Sequence, residues 1–164
     1  MAGRGLREPE PSVIAGQPGA KRVPESARKP RGSVCEAAQI PLSLYVHIPW
    51  CVRKCPYCDF NSHAQRGPID EDRYVQALLA DLDHELRRGP LPELQSVFIG
   101  GGTPSLFSGA TVGRLLDGIA FRLRLAEGAE ITLEANPGTA EADRFADYCT
   151  AGVNRLSIGV QSLD

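Results

Sequence analysis

Two hydrophobic periodicities alternate along the chain from about residue 42. Runs in which every second residue is apolar predict strands, and runs with apolar residues at i, i+3, i+4 and i+7 predict helices. In chain order the predicted elements are a strand over 44–48, a helix over 75–86, a strand over 97–99, a helix over 112–123, a strand over 131–134, a helix over 142–149 and a strand over 156–161. Strands that alternate with helices of this length indicate an α/β fold with a parallel sheet.

Four parallel strands are too few to close a barrel, and the chain ends just after the fourth. We therefore expect the N-terminal part of an incomplete (β/α) barrel, present either as a fragment or as a truncated gene model. In such barrels the chemistry lies at the C-terminal ends of the strands. An unpaired strand at the sheet edge also favours aggregation.

Finer expectations concern the last helix and the last strand. Helical spacing predicts one apolar face on the third helix, formed by Ala142, Phe145, Ala146 and Cys149. Cys149 is therefore expected to pack in the core. Alternation along the fourth strand places Ser157, Gly159 and Gln161 on one face, and Gln161 is expected to close the strand.

Residues 1–40 contain five prolines, five glycines and scattered charges, with almost no apolar periodicity. This composition predicts a disordered N-terminal extension, and residues 41–164 then form the folded domain. A mitochondrial transit peptide is the alternative, but Glu8, Glu10 and the prolines disfavour the Arg-rich, acid-poor helix of such peptides. A start codon assigned upstream of the true domain would give the same pattern.

Composition narrows the class of protein. A net charge of −2, with 42% hydrophobic and 23% charged residues, is ordinary for a globular protein and excludes the basic footprint of a nucleic-acid-binding domain. No apolar run approaches the roughly 20 residues of a transmembrane helix, so none is predicted. Three of the five cysteines fall within eight residues, which favours a metal site in a reducing compartment such as the cytoplasm over a secreted disulfide framework.

The three clustered cysteines, Cys51, Cys55 and Cys58, have the spacing C-x3-C-x2-C. Three thiolates on one loop can hold three irons of a [4Fe–4S] cluster and leave the fourth iron open to a ligand. Arg53 and Lys54 lie between them and would help to offset the negative charge. The alternative is a structural zinc in an interaction module, with His63 or Cys35 as the fourth ligand, although such sites usually contain a second pair of ligands.

Two other features are ambiguous by themselves. Gly100-Gly101-Gly102 follows the second strand, where glycine lets a ligand approach the backbone, but a simple turn would have the same composition. Glu134 shares a strand face with Thr132, and a carboxylate on the inner face of a barrel needs a partner. A bound ligand or solvent would satisfy Glu134 equally well.

Four segments, SLYVHIPWCVRKCPYCDFNSH, GGGTP, LEANPGT and GVQS, together resemble the radical S-adenosylmethionine (SAM) superfamily over about residues 42–164. Within it they resemble the group of oxygen-independent coproporphyrinogen III oxidases and HemW heme chaperones. The resemblance implies a TIM-like barrel, a [4Fe–4S] cluster on the three cysteines, and SAM on the fourth iron. It also implies SAM contacts from Tyr45, Tyr57, Gly101, Gly102, Thr103, Glu134 and Gln161.

The resemblance separates the two branches of this group at one position. The oxidases have a further cysteine two residues after the third, and this chain has Phe60 there. The difference favours the chaperones, which bind heme as cargo and pass it to heme-accepting proteins. The alternative is an enzyme of porphyrin biosynthesis that decarboxylates two propionates of coproporphyrinogen III, so whether the chain is an enzyme stays open.

Overall fold

Strands and helices alternate along residues 40–137 and 142–162, which are the residues that the computed structural model describes. The elements are β1 Leu42–Ile48, β2 Trp50–Cys51, β3 His63–Ala64, α1 Glu71–Leu86, β4 Leu94–Gly101, a short 3₁₀ helix Pro104–Leu106, α2 Gly109–Arg122, β5 Leu125–Ala135, α3 Ala142–Thr150 and β6 Arg155–Ile158. The predicted disordered extension lies outside the described residues, apart from residue 40.

In the described part of the chain, β1, β4, β5 and β6 form one sheet in that order, and every neighbouring pair is parallel. The predicted α/β fold with a parallel sheet is therefore confirmed. The strands β2 and β3 form a separate parallel pair of two residues each, which was not predicted because runs this short have no periodicity. All four main strands end at the same edge of the sheet, so their C-terminal ends lie together.

One face of the main sheet packs against the helices. Apolar side chains at every second strand position join apolar side chains of α1, α2 and α3 in a single core: Val46, Ile48, Val75, Val97, Ile99, Val112, Leu115, Ile119, Leu133 and Tyr148. Burying each such side chain contributes about 1.5–3 kcal/mol to folding. The opposite face carries aromatic and polar side chains. The register places Tyr45, Phe98, Thr132 and Arg155 side by side across the four strands.

Side-chain caps stabilise the starts of α1 and α2, and an ion pair links these two helices. The Asp70 carboxylate accepts from the Arg73 N–H at the start of α1, and the Ser108 hydroxyl oxygen accepts from the Thr111 N–H at the start of α2. The Arg122 guanidinium donates to both carboxylate oxygens of Asp83 at 2.7 and 3.0 Å. These bonds hold the pKa of Asp83 below its usual range.

Across residues 40–137 and 142–162, no helix combines the length and apolar character needed to cross a bilayer.

The predicted core face of α3 is partly wrong. Cys149 and Ala146 are exposed, whereas Tyr148 is only 1% exposed. The prediction failed because tyrosine is amphipathic and was not counted among the core residues. Its ring packs in the core, while its hydroxyl donates to the carbonyl oxygens of Ser105 and Phe107 at 2.9 and 2.8 Å.

The predicted end of the fourth strand is also wrong. β6 ends at Ile158, and Gln161 has a φ of 65° in the left-handed region. The turn is stabilised by the Val160 N–H, which donates to the Ile158 carbonyl oxygen at 3.1 Å. The alternation of apolar and polar residues continues past Ile158, so periodicity alone could not locate this turn.

Candidate functional site

A cavity of about 260 Å³ lies where the C-terminal ends of β4, β5 and β6 meet the cysteine loop, defined here as residues 51–62. Its lining includes every predicted site residue except Tyr45: Cys51, Cys55, Tyr57, Cys58, Gly101, Gly102, Thr103, Glu134 and Gln161. The structure therefore brings together residues that are far apart in the sequence. Their position at the strand ends is the one expected for a barrel of parallel strands.

Short parallel pairing closes the cysteine loop at its base. Trp50 and Cys51 of β2 pair with His63 and Ala64 of β3. The His63 N–H donates to the Pro49 carbonyl at 2.7 Å, and the Gln65 N–H donates to the Cys51 carbonyl at 2.8 Å. Cys51 is consequently buried at the base, Cys58 is half-buried, and Cys55 is exposed near the tip.

The three cysteines fit the donor set of an iron–sulfur cluster. All three are free cysteines on one wall of the cavity. In a cubane each thiolate binds a different iron, so the three sulfur atoms do not have to converge on one point. Among the residues described, no three His, Cys, Asp or Glu side chains converge to hold a single metal ion. Of the two alternative zinc ligands, His63 is exposed and Cys35 lies outside the described residues.

The glycine loop, defined here as residues 100–103, comprises the end of β4 and the turn after it, and it crosses very close to β1 and to the residues that follow β1. A Cβ on Gly102 would lie 2.5 Å from the Trp50 carbonyl oxygen, and a Cβ on Gly101 would lie 2.7 Å from the His47 ring. Gly101 also has a φ of 121°, which other residues rarely adopt. Glycine is required here by the close approach of two backbone segments.

The N–H groups of this loop are already bonded within the protein. Gly102 donates to the Ile48 carbonyl and Thr103 donates to the Trp50 carbonyl, both at 2.7 Å. The Gly101 N–H donates to Oε2 of Glu134 at 3.0 Å. These three residues therefore offer a ligand no N–H group, and the buried Thr103 hydroxyl accepts from the Asn136 side-chain amide at 3.1 Å.

Glu134 has a protein partner that the sequence did not reveal. The prediction gave its carboxylate a bound ligand or solvent, but one oxygen accepts from Gly101 in the neighbouring strand. The carboxylate lies close enough to Tyr45 to affect its acidity. Burial and the negative charge of Glu134 together raise the pKa of the Tyr45 hydroxyl.

Tyr45 lies below the cavity, on the sheet face that does not contact the helices. Its ring stacks on Phe98 with centroids 6.1 Å apart, and its hydroxyl lies 3.0 Å from Nδ1 of His47. Nε2 of His47 lies 2.7 Å from the Asn61 carbonyl oxygen, which can only accept, so Nε2 bears a proton, and in the neutral ring Nδ1 accepts from Tyr45. His47 thus ties β1 to the end of the cysteine loop.

Exposed aromatic side chains flank the cysteines. Tyr57 is 72% exposed and Phe60 is 66% exposed, and both line the cavity. A hydrogen bond with Cys55 and the charge of that thiolate raise the pKa of the Tyr57 hydroxyl. Phe60 occupies the position at which the oxidases are expected to have a further cysteine.

The cavity also includes residues that sequence analysis did not assign to the cluster or SAM site. These are Asp59, Pro104, Ala135 and Asn136, together with four residues that it named for other reasons, Arg53, Phe60, Ser157 and Gly159. Asn136 could have been found, because it lies two positions after Glu134 and its amide is a typical ligand-binding group. Ser157 could also have been found, because alternation places it on the same strand face as Gln161. In the structure β6 pairs with β5 and places Ser157 opposite Glu134.

Comparison with known proteins gives a consistent result. The model of the Radical SAM superfamily matches residues 45–164. The chain is 66% identical over 122 residues to the heme chaperone HemW of Escherichia coli K12, covering 74% of this chain and 32% of that protein. It is 45% identical over 129 residues to the mouse protein named radical S-adenosyl methionine domain-containing protein 1, mitochondrial, covering 79% of this chain and 29% of that protein.

Among solved structures, the chain resembles coproporphyrinogen III oxidase (HemN) of Escherichia coli, described as a radical SAM enzyme. The TM-score is 0.69 at 34% identity, over 76% of this chain and 29% of that one. The chain spans about a third of the length of the relatives it matches.

Proposed function

This chain belongs to the radical SAM superfamily, and from that membership we propose that it acts as a heme chaperone of the HemW kind that binds a [4Fe–4S] cluster and SAM. The observation that supports a radical SAM site best is the cavity at which the three cysteines, the glycine loop and Glu134 meet. The chaperone assignment is supported by the 66% identity to a protein named heme chaperone.

In this proposal Cys51, Cys55 and Cys58 hold the cluster, and the fourth iron is left to SAM. When bound and reduced, such a cluster would supply the electron for reductive cleavage of SAM. Cys51 is buried at the base of the loop, Cys58 is half-buried and Cys55 is exposed, and all three line the cavity. Three thiolates from one short loop leave the opposite wall, formed by the strand ends, for the cofactor.

The proposed SAM contacts follow from the bonding of that opposite wall. Because the N–H groups of Gly101, Gly102 and Thr103 are engaged, this loop would meet the cofactor through its carbonyl oxygens and glycine surface. Glu134 uses one oxygen on Gly101, and the other would accept from a ribose hydroxyl or an ammonium group. Gln161 and Tyr57 would border the cofactor, and Tyr45 would support it from below.

Heme is the proposed cargo, and heme-accepting proteins are the proposed partners. A coproporphyrinogen oxidase of porphyrin biosynthesis is the second candidate, favoured by the likeness to the solved HemN structure. Phe60, in place of the further cysteine, favours the chaperone. We propose a cytoplasmic location, because the three cysteines must stay reduced to hold a cluster.

The first test measures iron and acid-labile sulfide in the full chain after anaerobic reconstitution. We expect about four irons and four sulfides per chain, and a loss of most of both in Cys51→Ser, Cys55→Ser and Cys58→Ser. Cys149→Ser is the matched control, since Cys149 is exposed on α3 outside the cavity. Tightly bound zinc without sulfide would overturn the proposal in favour of a zinc-stapled module.

The second test separates the chaperone from the oxidase. The reconstituted chain and Escherichia coli HemW are titrated in parallel with heme, and both are supplied with coproporphyrinogen III, SAM and a reductant. Stoichiometric heme uptake without protoporphyrinogen IX supports the chaperone. Turnover of coproporphyrinogen, or heme uptake by the Escherichia coli protein alone, would contradict a chaperone role for this chain.

A further inference from the structure

Lys54 joins the two ends of the cysteine loop. It lies between Cys51 and Cys55, and its ammonium group donates to the carbonyl oxygens of Phe60 and Ser62, each at 3.0 Å. Both acceptors follow the third cysteine in the sequence. The bonds therefore link the part of the loop just before Cys55 to the part just after Cys58.

The end of the loop that Lys54 reaches is firmly held by other contacts. Ser62 is 2% exposed, and its N–H donates to the Phe60 carbonyl at 2.7 Å. Nε2 of His47 on β1 donates to the Asn61 carbonyl at 2.7 Å. Residues 52–57, by contrast, are all exposed. Lys54 thus ties the exposed arc of the loop to its anchored end.

Ser62 connects this arrangement to a cysteine. Its hydroxyl oxygen lies 3.7 Å from Sγ of Cys58 and 3.4 Å from the Phe60 carbonyl oxygen. The Ser62 hydroxyl has one proton to donate and lies within hydrogen-bond distance of the sulfur, so it can donate to Cys58 and fix the position of that ligand.

The adjacent cation, Arg53, has a different position. Arg53 lines the cavity, whereas Lys54 is not among the residues lining it. Lys54 directs two of its three N–H donors to backbone carbonyls. Of the two cations expected from the sequence to offset the charge of the cysteines, Arg53 faces the site and Lys54 faces the backbone of the loop.

We propose that Lys54 and Ser62 are positioning residues that form a clasp, which closes the cysteine loop and orients Cys58 before the cluster binds. The inference rests on the proposed cluster site and assigns these residues a role in holding a ligand, not in the chemistry. Partners that orient a metal ligand from outside commonly change metal retention when they are removed.

The test compares Lys54→Met, Ser62→Ala and Arg53→Met in the full chain. Each reconstituted protein is mixed anaerobically with an iron chelator, and iron release is followed by absorbance. We expect release to be about tenfold faster in Lys54→Met and Ser62→Ala, and faster by a smaller factor in Arg53→Met, which removes the same charge without removing a hydrogen bond of the clasp. Lys54→Arg retains a donor and should recover part of the loss.

A second readout needs no cluster. In the metal-free chain, alkylation of each cysteine is followed by mass spectrometry, with Cys149 as the internal reference in the same sample. Opening the clasp should speed alkylation of the half-buried Cys58 about fivefold, since loss of one hydrogen bond is worth about this factor. The rate at Cys149 should not change.

Equal effects of Lys54→Met and Arg53→Met on iron release would show that positive charge, and not the hydrogen bonds of the clasp, controls iron retention. This result would overturn the inference. Unchanged iron release and unchanged Cys58 alkylation in Ser62→Ala would also overturn it, even if Lys54→Met does not fold. If the unsubstituted chain binds no iron and sulfide, the proposed function fails first, and the alkylation experiment still tests the clasp in the metal-free chain.

Discussion

The site requires glycine at position 101, because a side chain there would not fit. Its φ of 121° and the His47 ring, 2.7 Å from the position of a Cβ, would both oppose any larger residue. The same residue donates its N–H to Glu134. A change here would therefore disturb the backbone crossing and the carboxylate together.

We expect Gly101→Ala to lower the free energy of unfolding by about 3 kcal/mol or more, from backbone strain and the clash with His47. Gly128→Ala is the matched control, because Gly128 has a φ of 72° with no atom within 4 Å of a Cβ. It should cost only about 1–2 kcal/mol. Urea unfolding followed by circular dichroism measures both, and equal losses would show that the close approach is not important.

At this scale the sequence predicted the residues that belong to recognisable motifs, namely the cysteines, the glycines and Glu134. It did not predict Lys54, Ser62 or Tyr148 in their observed roles. Lys54 and Tyr148 bond to backbone carbonyls 8 and 43 positions away, and Ser62 lies between a carbonyl two positions away and the sulfur of Cys58. Hydrophobic periodicity contains no information about which carbonyl a polar side chain will reach.

At the scale of elements, α3 supports the glycine loop from outside the cavity. The Tyr148 hydroxyl and the Arg144 guanidinium both donate to the Ser105 carbonyl, which follows the loop in the 3₁₀ helix. Burial raises the pKa of the Tyr148 hydroxyl, so it remains a donor at neutral pH. α3 therefore holds the segment that follows the glycine loop in place, in addition to covering the sheet.

Tyr148→Phe keeps the buried ring and removes both hydroxyl bonds, so we expect it to destabilise the chain by about 1–3 kcal/mol. Cys149→Ala, the next residue on the same helix, is exposed and should change stability by less than about 0.5 kcal/mol. Both are measured by urea unfolding. The reverse order of effects would restore the helix face first expected from the apolar pattern.

The longer elements were predictable and the short or irregular ones were not. In α1 and α2 the apolar positions recur over several turns, so the sequence shows the helical period clearly. β2 and β3 exist because two pairs of residues meet after the cysteine loop has folded back. The turn that ends β6 falls where apolar and polar residues still alternate, so the periodicity could not locate it.

At the scale of the whole described region, the sheet is covered on one face only. The other face presents Tyr45, Phe98 and Arg155, and β1 and β6 are its edges among the residues described. Parallel sheets are usually covered on both faces. The uncovered face and edges provide surfaces for self-association.

We expect the chain to associate as its concentration rises, measured by light scattering and sedimentation velocity. Ile158→Lys, on the edge strand β6, should reduce association because an edge lysine disfavours strand pairing. Phe121→Lys is the control, since Phe121 is 89% exposed on α2, away from the sheet edge. A soluble monomer with a sharp, cooperative melt at all concentrations would refute this expectation.

The order of the sheet has a consequence for synthesis. Since β1, β4, β5 and β6 lie side by side in the order in which they are translated, each new strand can add to an edge that has already left the ribosome. The cysteine loop emerges early, and the wall that contains Ser157 and Gln161 emerges last. During translation the three thiols are therefore exposed before the strand end that brings Ser157 and Gln161 to the cavity has been made.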